Sequence, residues 1–171
     1  MQILLFVGRD LLLETIAPAF VIALLITCFV GEKTVVLGHS MEPNLHQDEQ
    51  LIIDKLSYRF HFPERGDIVV VDVPDSEIPL IKRVIGLPGE TLEIKGNRVY
   101  VNGQLLSEPY LSDIAQNRYG PIDIPPDHVF VMGDNRNASR DSRMIGPVRI
   151  SQIIAKAWVR VWPVEDIGLL R

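Results

Sequence analysis

The chain has 171 residues, of which 47% are hydrophobic, and 17 basic against 22 acidic side chains give a formal net charge of -5. The length suits one domain with an appendage, and the slight acidity argues against a nucleic-acid partner because it provides no basic stripe for a phosphate backbone. The single cysteine, Cys28, excludes an intramolecular disulfide and a multi-cysteine metal site.

The N-terminal part contains an uncharged apolar run, TIAPAFVIALLITCFV, over residues 15–30. Extended to 11–31, the run reaches about the length that a bilayer core requires of a helix. A cleaved signal peptide fits less well because no A-x-A-like site follows, and a buried core helix is less natural for a run that is apolar on every side. We therefore expect a short N-terminal segment over 1–10 and one uncleaved transmembrane anchor over 11–31. The flanking charges hardly decide its orientation.

Beyond the anchor, short runs rich in β-branched residues alternate with turn formers, as in QLIIDKL (50–56), DIVVVDV (67–73), HVFVMGD (128–134) and IIAKAWVRVWPV (153–164). TLEIKGNRVYVNGQLL (91–106) predicts a hairpin at Gly96-Asn97 and a second tight turn at Asn102-Gly103. One short helical turn is expected near 151–156. The pattern predicts a mainly β domain, a barrel or sandwich. The irregular segment 107–126 is expected to be a surface excursion or small cap.

Metal and nucleotide chemistry find little support in the motifs. The four histidines are not spaced as metal pairs, and neither a P-loop nor a G-x-S-x-G elbow is present. GDNRN (133–137) superficially resembles a metallophosphatase ligand motif but lacks the companion motifs. A Ser-His-Asp triad stays open because its members assemble in space.

Three stretches stand out, and each has an ordinary explanation when taken alone. VVLGHSMEPNL (35–45) favours a turn, IKRVIGLPGE (81–90) favours a strand end with solvated basic side chains, and GDNRNASRDSR (133–143) favours a polar loop with ion pairs.

Taken together, GHSMEPNL, RGDIVVV, KRVIGLPGE and GDNRNASRDSR, in this order behind an anchor, resemble the motifs of the type I signal peptidases. The resemblance covers most of the chain. It implies a membrane-bound Ser/Lys serine endopeptidase of signal-peptidase-like fold, an all-β catalytic core over 32–171 with a small inserted cap at about 91–128. The catalytic domain would lie on the extracytoplasmic side of the cell membrane, and the short segment 1–10 would be cytoplasmic. The implied partners are signal peptides of exported preproteins and membrane lipid, with no metal and no cofactor.

The same resemblance implies roles for individual residues. Ser40 matches the nucleophile, Lys82 the general base, and Ser139 the serine whose hydroxyl steadies the lysine amine. Residues matching supporting positions near the base and in the following loop are Arg83, Asp141 and Arg143. Residues expected to contact substrate are Met41, Gly38 and Ile81. The bound peptide would lie as an extended strand against 34–38 and 78–81.

The proposed chemistry places demands on the lysine. A free lysine has a pKa of about 10.4 and is protonated at neutral pH. Burial must lower the pKa of Lys82 before its amine can accept the serine proton. Asp141 should then pair with Arg143, because an unpaired carboxylate beside Lys82 would raise its pKa. Gly38 stands where some members have a serine that helps form the oxyanion hole, which leaves the second donor open. His39 should point away from Ser40 because adjacent strand residues face opposite sides.

Two other functions remain at this point. A self-cleaving repressor-type Ser/Lys protease would be soluble and usually carries a DNA-binding segment, for which this short N-terminal part leaves no room. A non-catalytic, membrane-tethered β-domain that binds exported chains is the alternative from another class.

Overall fold

The computed structural model describes Glu14, 16–19, Val21, 31–74, 76–96, 98–111 and 118–170. The segment predicted over 1–10 therefore lies outside the described residues, as does about two thirds of the anchor predicted over 11–31. Within those ranges, none of the helices has both the length and the apolar character needed to cross a bilayer.

The described chain is mainly β, as the sequence predicts. Its strands are β1 (Gly31–Val35), β2 (Gln50–Asp54), β3 (Ile68–Val71), β4 (Leu80–Gly86), β5 (Thr91–Lys95), β6 (Arg98–Val101), β7 (Gln104–Leu105), β8 (Tyr119–Asp123), β9 (His128–Met132), β10 (Val148–Arg149), β11 (Ile153–Trp162) and β12 (Gly168–Leu169). From residue 31 onward, the described elements also include two short helices, α1 (Ser57–Phe60) and α2 (Ser142–Ile145), and two 3-10 turns, Ile150–Gln152 and Val164–Asp166.

The strands form two sheets. The larger has the order β1-β2-β11-β3-β4-β9-β10, with β12 paired to β11, and the smaller has the order β7-β6-β5-β8. All described strand pairs are antiparallel, which suits connections through tight turns.

Strand β3 lies at the centre of the larger sheet and is buried on both faces. Ile68 and Val70 pack into one apolar cluster, which also contains Met41 and Leu45. Val69 and Val71 pack into a second cluster on the other side. Because successive side chains of a strand point to opposite faces, both faces of this sheet must be covered. This explains why IVVV reads as a continuous apolar run rather than an alternating one.

The hairpins of the smaller sheet are confirmed. Gly96, Asn102 and Gly103 have φ values of 65°, 50° and 78°, which the tight turns require. A third apolar cluster joins this sheet to the larger one through Ile85 and Phe130, which belong to β4 and β9.

One local expectation needs correction, and another is confirmed. The segment 107–126 contains a regular strand, β8, which pairs with β5; Gly120 and Pro121 interrupt its sequence pattern, and an edge strand tolerates such residues. The short helical turn expected near 151–156 is present as the 3-10 turn Ile150–Gln152, and from Ile153 onward the chain pairs with β3.

Gly86, at the end of β4, allows the two sheets to approach closely. A Cβ atom there would lie 2.3 Å from Ile124 Cδ1 and 3.1 Å from both Leu92 Cδ1 and Phe130 Cβ. We expect Gly86→Ala to lower the free energy of unfolding by about 1–3 kcal/mol through overpacking. Thermal denaturation measures the effect. Gly168→Ala is the matched control, since its Cβ would meet only Asp166 O at 3.9 Å. Equal melting temperatures for the two variants would contradict the prediction.

Candidate active site

The structure brings Ser40 and Lys82 into direct contact although they are 42 residues apart. Lys82 Nζ lies 2.7 Å from Ser40 Oγ and 2.8 Å from the backbone oxygen of Ile81. Lys82 belongs to strand β4, which lies between β3 and β9, whereas Ser40 follows β1 at the start of a turn. The sheet therefore holds the amine, and the turn presents the hydroxyl to it.

The turn that carries Ser40 is anchored in the core by buried side chains that follow Ser40 in the sequence. Met41 and Leu45 are 1% and 0% exposed, and the backbone N–H groups of Asn44 and Leu45 donate to Met41 O at 3.0 and 2.9 Å. The peptide bond between Glu42 and Pro43 is cis. The ordinary interpretation of this stretch as a turn is thus correct, and the turn is fixed to the core.

His39 is exposed and points to Glu42, with Nδ1 2.8 Å from Glu42 Oε1. This agrees with the expectation that His39 faces away from the Ser40 hydroxyl.

Lys82 is 3% exposed, which is uncommon for a lysine. Burial lowers the pKa of Lys82 to about 8, against the opposing effect of the carboxylates of Asp141 and Asp134. Burial disfavours the charged ammonium because little solvent can stabilise it. Near pH 8 the amine is therefore half neutral and able to accept a proton.

Each of those two carboxylates is paired with an arginine. Arg143 donates to Asp141 from Nε and Nη2, both at 2.8 Å. Arg83 donates to Asp134 from Nε at 2.8 Å and from Nη2 at 2.6 Å. Burial alone would raise the pKa of Asp141, but hydrogen bonds from Arg143 and from the Gly133 N–H outweigh it and lower the pKa. The predicted Asp141–Arg143 pair is present, and the Arg83–Asp134 pair adds a second one.

Ser139 lies beside the site but is not bonded to Lys82 in this structure. Its Oγ is buried and has no hydrogen-bond partner of normal geometry among the described residues, although it lies close enough to Asp141 to help lower the pKa of that carboxyl. A Cβ atom on Gly133 would lie 2.3 Å from Ser139 Oγ and 2.4 Å from Ser40 O, so only glycine fits there.

An open groove of about 410 Å³ leads to Ser40 and Lys82. One wall is formed by 34–40 and the other by 78–82, and the apolar floor includes Ile53, Val70 and Ile154. Gly38 and Ile81 line the groove, as expected for residues that contact substrate. Gly38 has a φ of 81°, which favours glycine, and it contributes no side-chain donor.

Met41 lies elsewhere. It packs in the core with Val36 and Leu45 and is not among the residues that line the groove.

Sequence reasoning missed several residues that hold the site together. The N–H of Asn135 donates to Ser40 O at 3.0 Å, and Asn44 Nδ2 donates to Asp134 Oδ2 at 2.9 Å. Glu108 and Tyr110, from the segment that the sequence predicts as a surface excursion, also contact this region. The density of polar residues in 133–143 could have indicated the contacts made by Asp134 and Asn135. No local sequence pattern indicates that 107–111 packs against this loop.

Comparison with known proteins agrees with the motifs. The family model described as signal peptidase, peptidase S26, matches residues 9–162. A probable signal peptidase I-2 of Synechocystis is 42% identical over 163 residues, covering 92% of this chain and 75% of that protein. A signal peptidase I of Leptolyngbya laminosa is 43% identical over 166 residues, covering 92% of this chain and 82% of that protein. A crystal structure of a signal peptidase I from Enterococcus faecalis matches with a TM-score of 0.49 and 33% identity, covering 56% of this chain and 97% of that chain. On the family model and these relatives, the chain belongs to the signal peptidase family, peptidase S26.

Proposed function

We propose that this chain is a type I signal peptidase, a serine endopeptidase that cleaves N-terminal signal peptides from exported preproteins with a Ser40–Lys82 dyad. The observation that carries the proposal is the 2.7 Å contact between a buried lysine amine and a serine hydroxyl at the end of a groove. A serine hydroxyl is a weak nucleophile until a neighbouring base removes its proton.

The neutral amine of Lys82 accepts the Ser40 hydroxyl proton while Oγ attacks the carbonyl carbon of the scissile bond. The resulting ammonium then gives that proton to the leaving amine as the peptide bond breaks, which leaves an acyl-enzyme ester on Ser40. Water repeats the cycle, with Lys82 as base, and releases the signal peptide as a free acid. The pKa of Lys82, about 8, suits both directions of proton transfer near neutral pH.

Ser139 and Met41 keep proposed supporting roles. A hydrogen bond between the Lys82 amine and the Ser139 hydroxyl would satisfy this buried Oγ, which has no partner among the described residues. Met41, one residue after the nucleophile, would support the pocket from below rather than line its surface.

The groove suits an extended peptide. The outer edge of β1 has no strand partner among the described strands, and residues 80–82 of β4 pair only with β3, because pairing with β9 begins at Arg83. A substrate strand could hydrogen-bond with both edges, in the mode of β-augmentation. On the apolar floor of the groove, which includes Ile53 and Val70, the peptide would place small side chains at the −1 and −3 positions.

The site is also proposed to lie close to a membrane. The apolar run 11–31 would be a single-pass anchor, and eight residues (32–39) separate it from Ser40. Residues 32–171 would then form an extracytoplasmic catalytic domain, with 91–128 as the inserted cap. This location would bring Ser40 to the level at which membrane-inserted signal peptides expose their cleavage sites.

Ser40→Ala and Lys82→Met should each reduce preprotein cleavage by about a thousandfold or more, because either change removes one half of the proposed dyad. Cleavage is measured with the full chain on a preprotein that has alanine at −1 and −3. The controls are Ser151→Ala and Lys95→Met, which alter exposed residues. Full activity in either dyad variant would refute the assignment, and an inactive wild-type chain would favour a non-catalytic binding domain.

The acid limb of the pH profile should follow Lys82. Its pKa of about 8 means that the amine becomes protonated as the pH falls, so kcat/KM should fall by about tenfold per pH unit on the acid side. Stopped-time cleavage assays between pH 5 and pH 10 test this. A rate that stays constant down to pH 5 would exclude Lys82 as the base.

Arg143→Met should shift the acid limb to higher pH. The Asp141 carboxylate already raises the pKa of Lys82, and without its arginine partner that effect becomes stronger, so kcat/KM at pH 7 should fall by about tenfold. Arg98→Met, at an exposed position, serves as the control. An unchanged profile in a folded Arg143→Met protein would show that the pair does not tune Lys82.

A further inference from the structure

The segment 107–111, which follows β7, packs against the loop that follows β9, and the dyad chemistry does not itself require this contact. We propose that Glu108 and Tyr110 are positioning residues for Ser40 and Lys82, acting through Arg83 and the loop 133–136. The inference deepens the proposed function and rests on it.

Glu108 is buried in an ion pair with Arg136, and their side chains are 6% and 4% exposed. Arg136 Nη2 and the Tyr110 hydroxyl both donate to Glu108 Oε1, the latter at 2.7 Å. Arg136 Nε also donates to Gly133 O at 3.1 Å. A buried carboxylate that binds two donors constrains its neighbours far more than an exposed pair does, because either charge alone would be poorly solvated.

Tyr110 connects the same segment to β4. Its ring lies 4.2 Å from Arg83 Cζ, a cation–π contact. Its backbone oxygen accepts from Asn44 Nδ2 at 2.8 Å. Arg83 directly follows Lys82 in the strand, so whatever fixes the Arg83 guanidinium also restrains the backbone that carries the proposed base.

These contacts form a closed chain of interactions around the site. Three consecutive loop residues bind different partners: Asp134 binds Arg83, the Asn135 N–H donates to Ser40 O, and Arg136 binds Glu108. Tyr110 then joins Glu108 back to Arg83. The backbone of Ser40 and the backbone beside Lys82 are therefore held to one loop, and 107–111 braces that loop from outside.

Loss of these contacts should affect kcat and the pKa of Lys82, and not only the stability of the fold. Reacting groups lose rate steeply when their alignment changes, and a displacement of about 1 Å can cost about 100-fold. The Asp134 charge is also one of those that raise the pKa of Lys82, and its partner Arg83 is stacked on Tyr110. Loosening Arg83 should therefore raise the pKa of Lys82 as well as lower kcat.

The experiment compares Glu108→Gln and Tyr110→Leu with wild-type full chain in detergent. The matched controls are Glu93→Gln and Tyr100→Leu, which alter an acid and a tyrosine that both contact Lys95 in the smaller sheet. Preprotein cleavage gives kcat and KM, and nuclear magnetic resonance of the lysine ε-carbon gives the pKa of Lys82 without any need for turnover.

We expect kcat to fall by about 10- to 100-fold in both test variants, with KM within about twofold of wild type. The pKa of Lys82 should rise in Tyr110→Leu, and Tyr110→Phe, which keeps the ring over Arg83, should recover most of kcat. The controls should match wild type.

Wild-type kcat in folded Glu108→Gln and Tyr110→Leu, or equal losses in the controls, would overturn the inference. If Tyr110→Leu fails to fold, kcat of Glu108→Gln decides. A wild-type chain that cuts no preprotein would instead refute the proposed function, and the pKa of Lys82 in Tyr110→Leu would still report whether the brace acts on that amine.

Discussion

A lysine amine whose pKa must lie far below that of a free lysine is the constraint on which the arrangement of this protein depends. Lys82 sits in the middle of a sheet at 3% exposure, and burial lowers its pKa from 10.5 to about 8. That difference corresponds to about 3 kcal/mol of preference for the neutral form. Two carboxylates nearby act against it, and each is held by an arginine that offsets its charge. The apolar environment of Lys82 thus lowers the pKa of its amine, and the ion pairs of the loop after β9 limit the opposing effect of the two carboxylates.

The mainly β fold can meet this requirement because a single strand can bury its side chains in apolar clusters and still leave backbone groups free at one edge. Within β4, Val84 and Ile85 pack into different apolar clusters, while residues 80–82 keep one side open to the groove. A helix at this place would satisfy its own backbone groups and leave none for an incoming peptide. The sheet therefore provides the low dielectric environment of the amine and the backbone groups that could bind a substrate strand.

Features of the fold and the site could be predicted where a short stretch of sequence indicates them, and not where they depend on contacts between distant residues. The strands and hairpins followed from β-branched runs and Gly-Asn or Asn-Gly turns, and the Ser40–Lys82 pairing followed from motifs in order. Strand β8 was missed because Gly120 and Pro121 break its alternation, and its place is fixed by pairing with β5. Glu108 and Tyr110 were missed because their partners are distant in sequence; the Glu108–Arg136 pair spans 28 positions. Ser139 was expected to bond Lys82, whereas the structure leaves its hydroxyl beside Asp141.

The two walls of the groove differ in how firmly they are held. The wall that carries Lys82 belongs to a strand in the sheet interior, between β3 and β9, whereas the opposite wall begins with β1, which pairs only with β2 among the described strands. Displacing β1 disturbs one set of strand hydrogen bonds, whereas displacing β4 would disturb two sets, those with β3 and with β9, and the environment of the amine. A change in the width of the groove therefore meets least resistance on the β1 side, so the groove can adjust its shape there without moving the amine of Lys82.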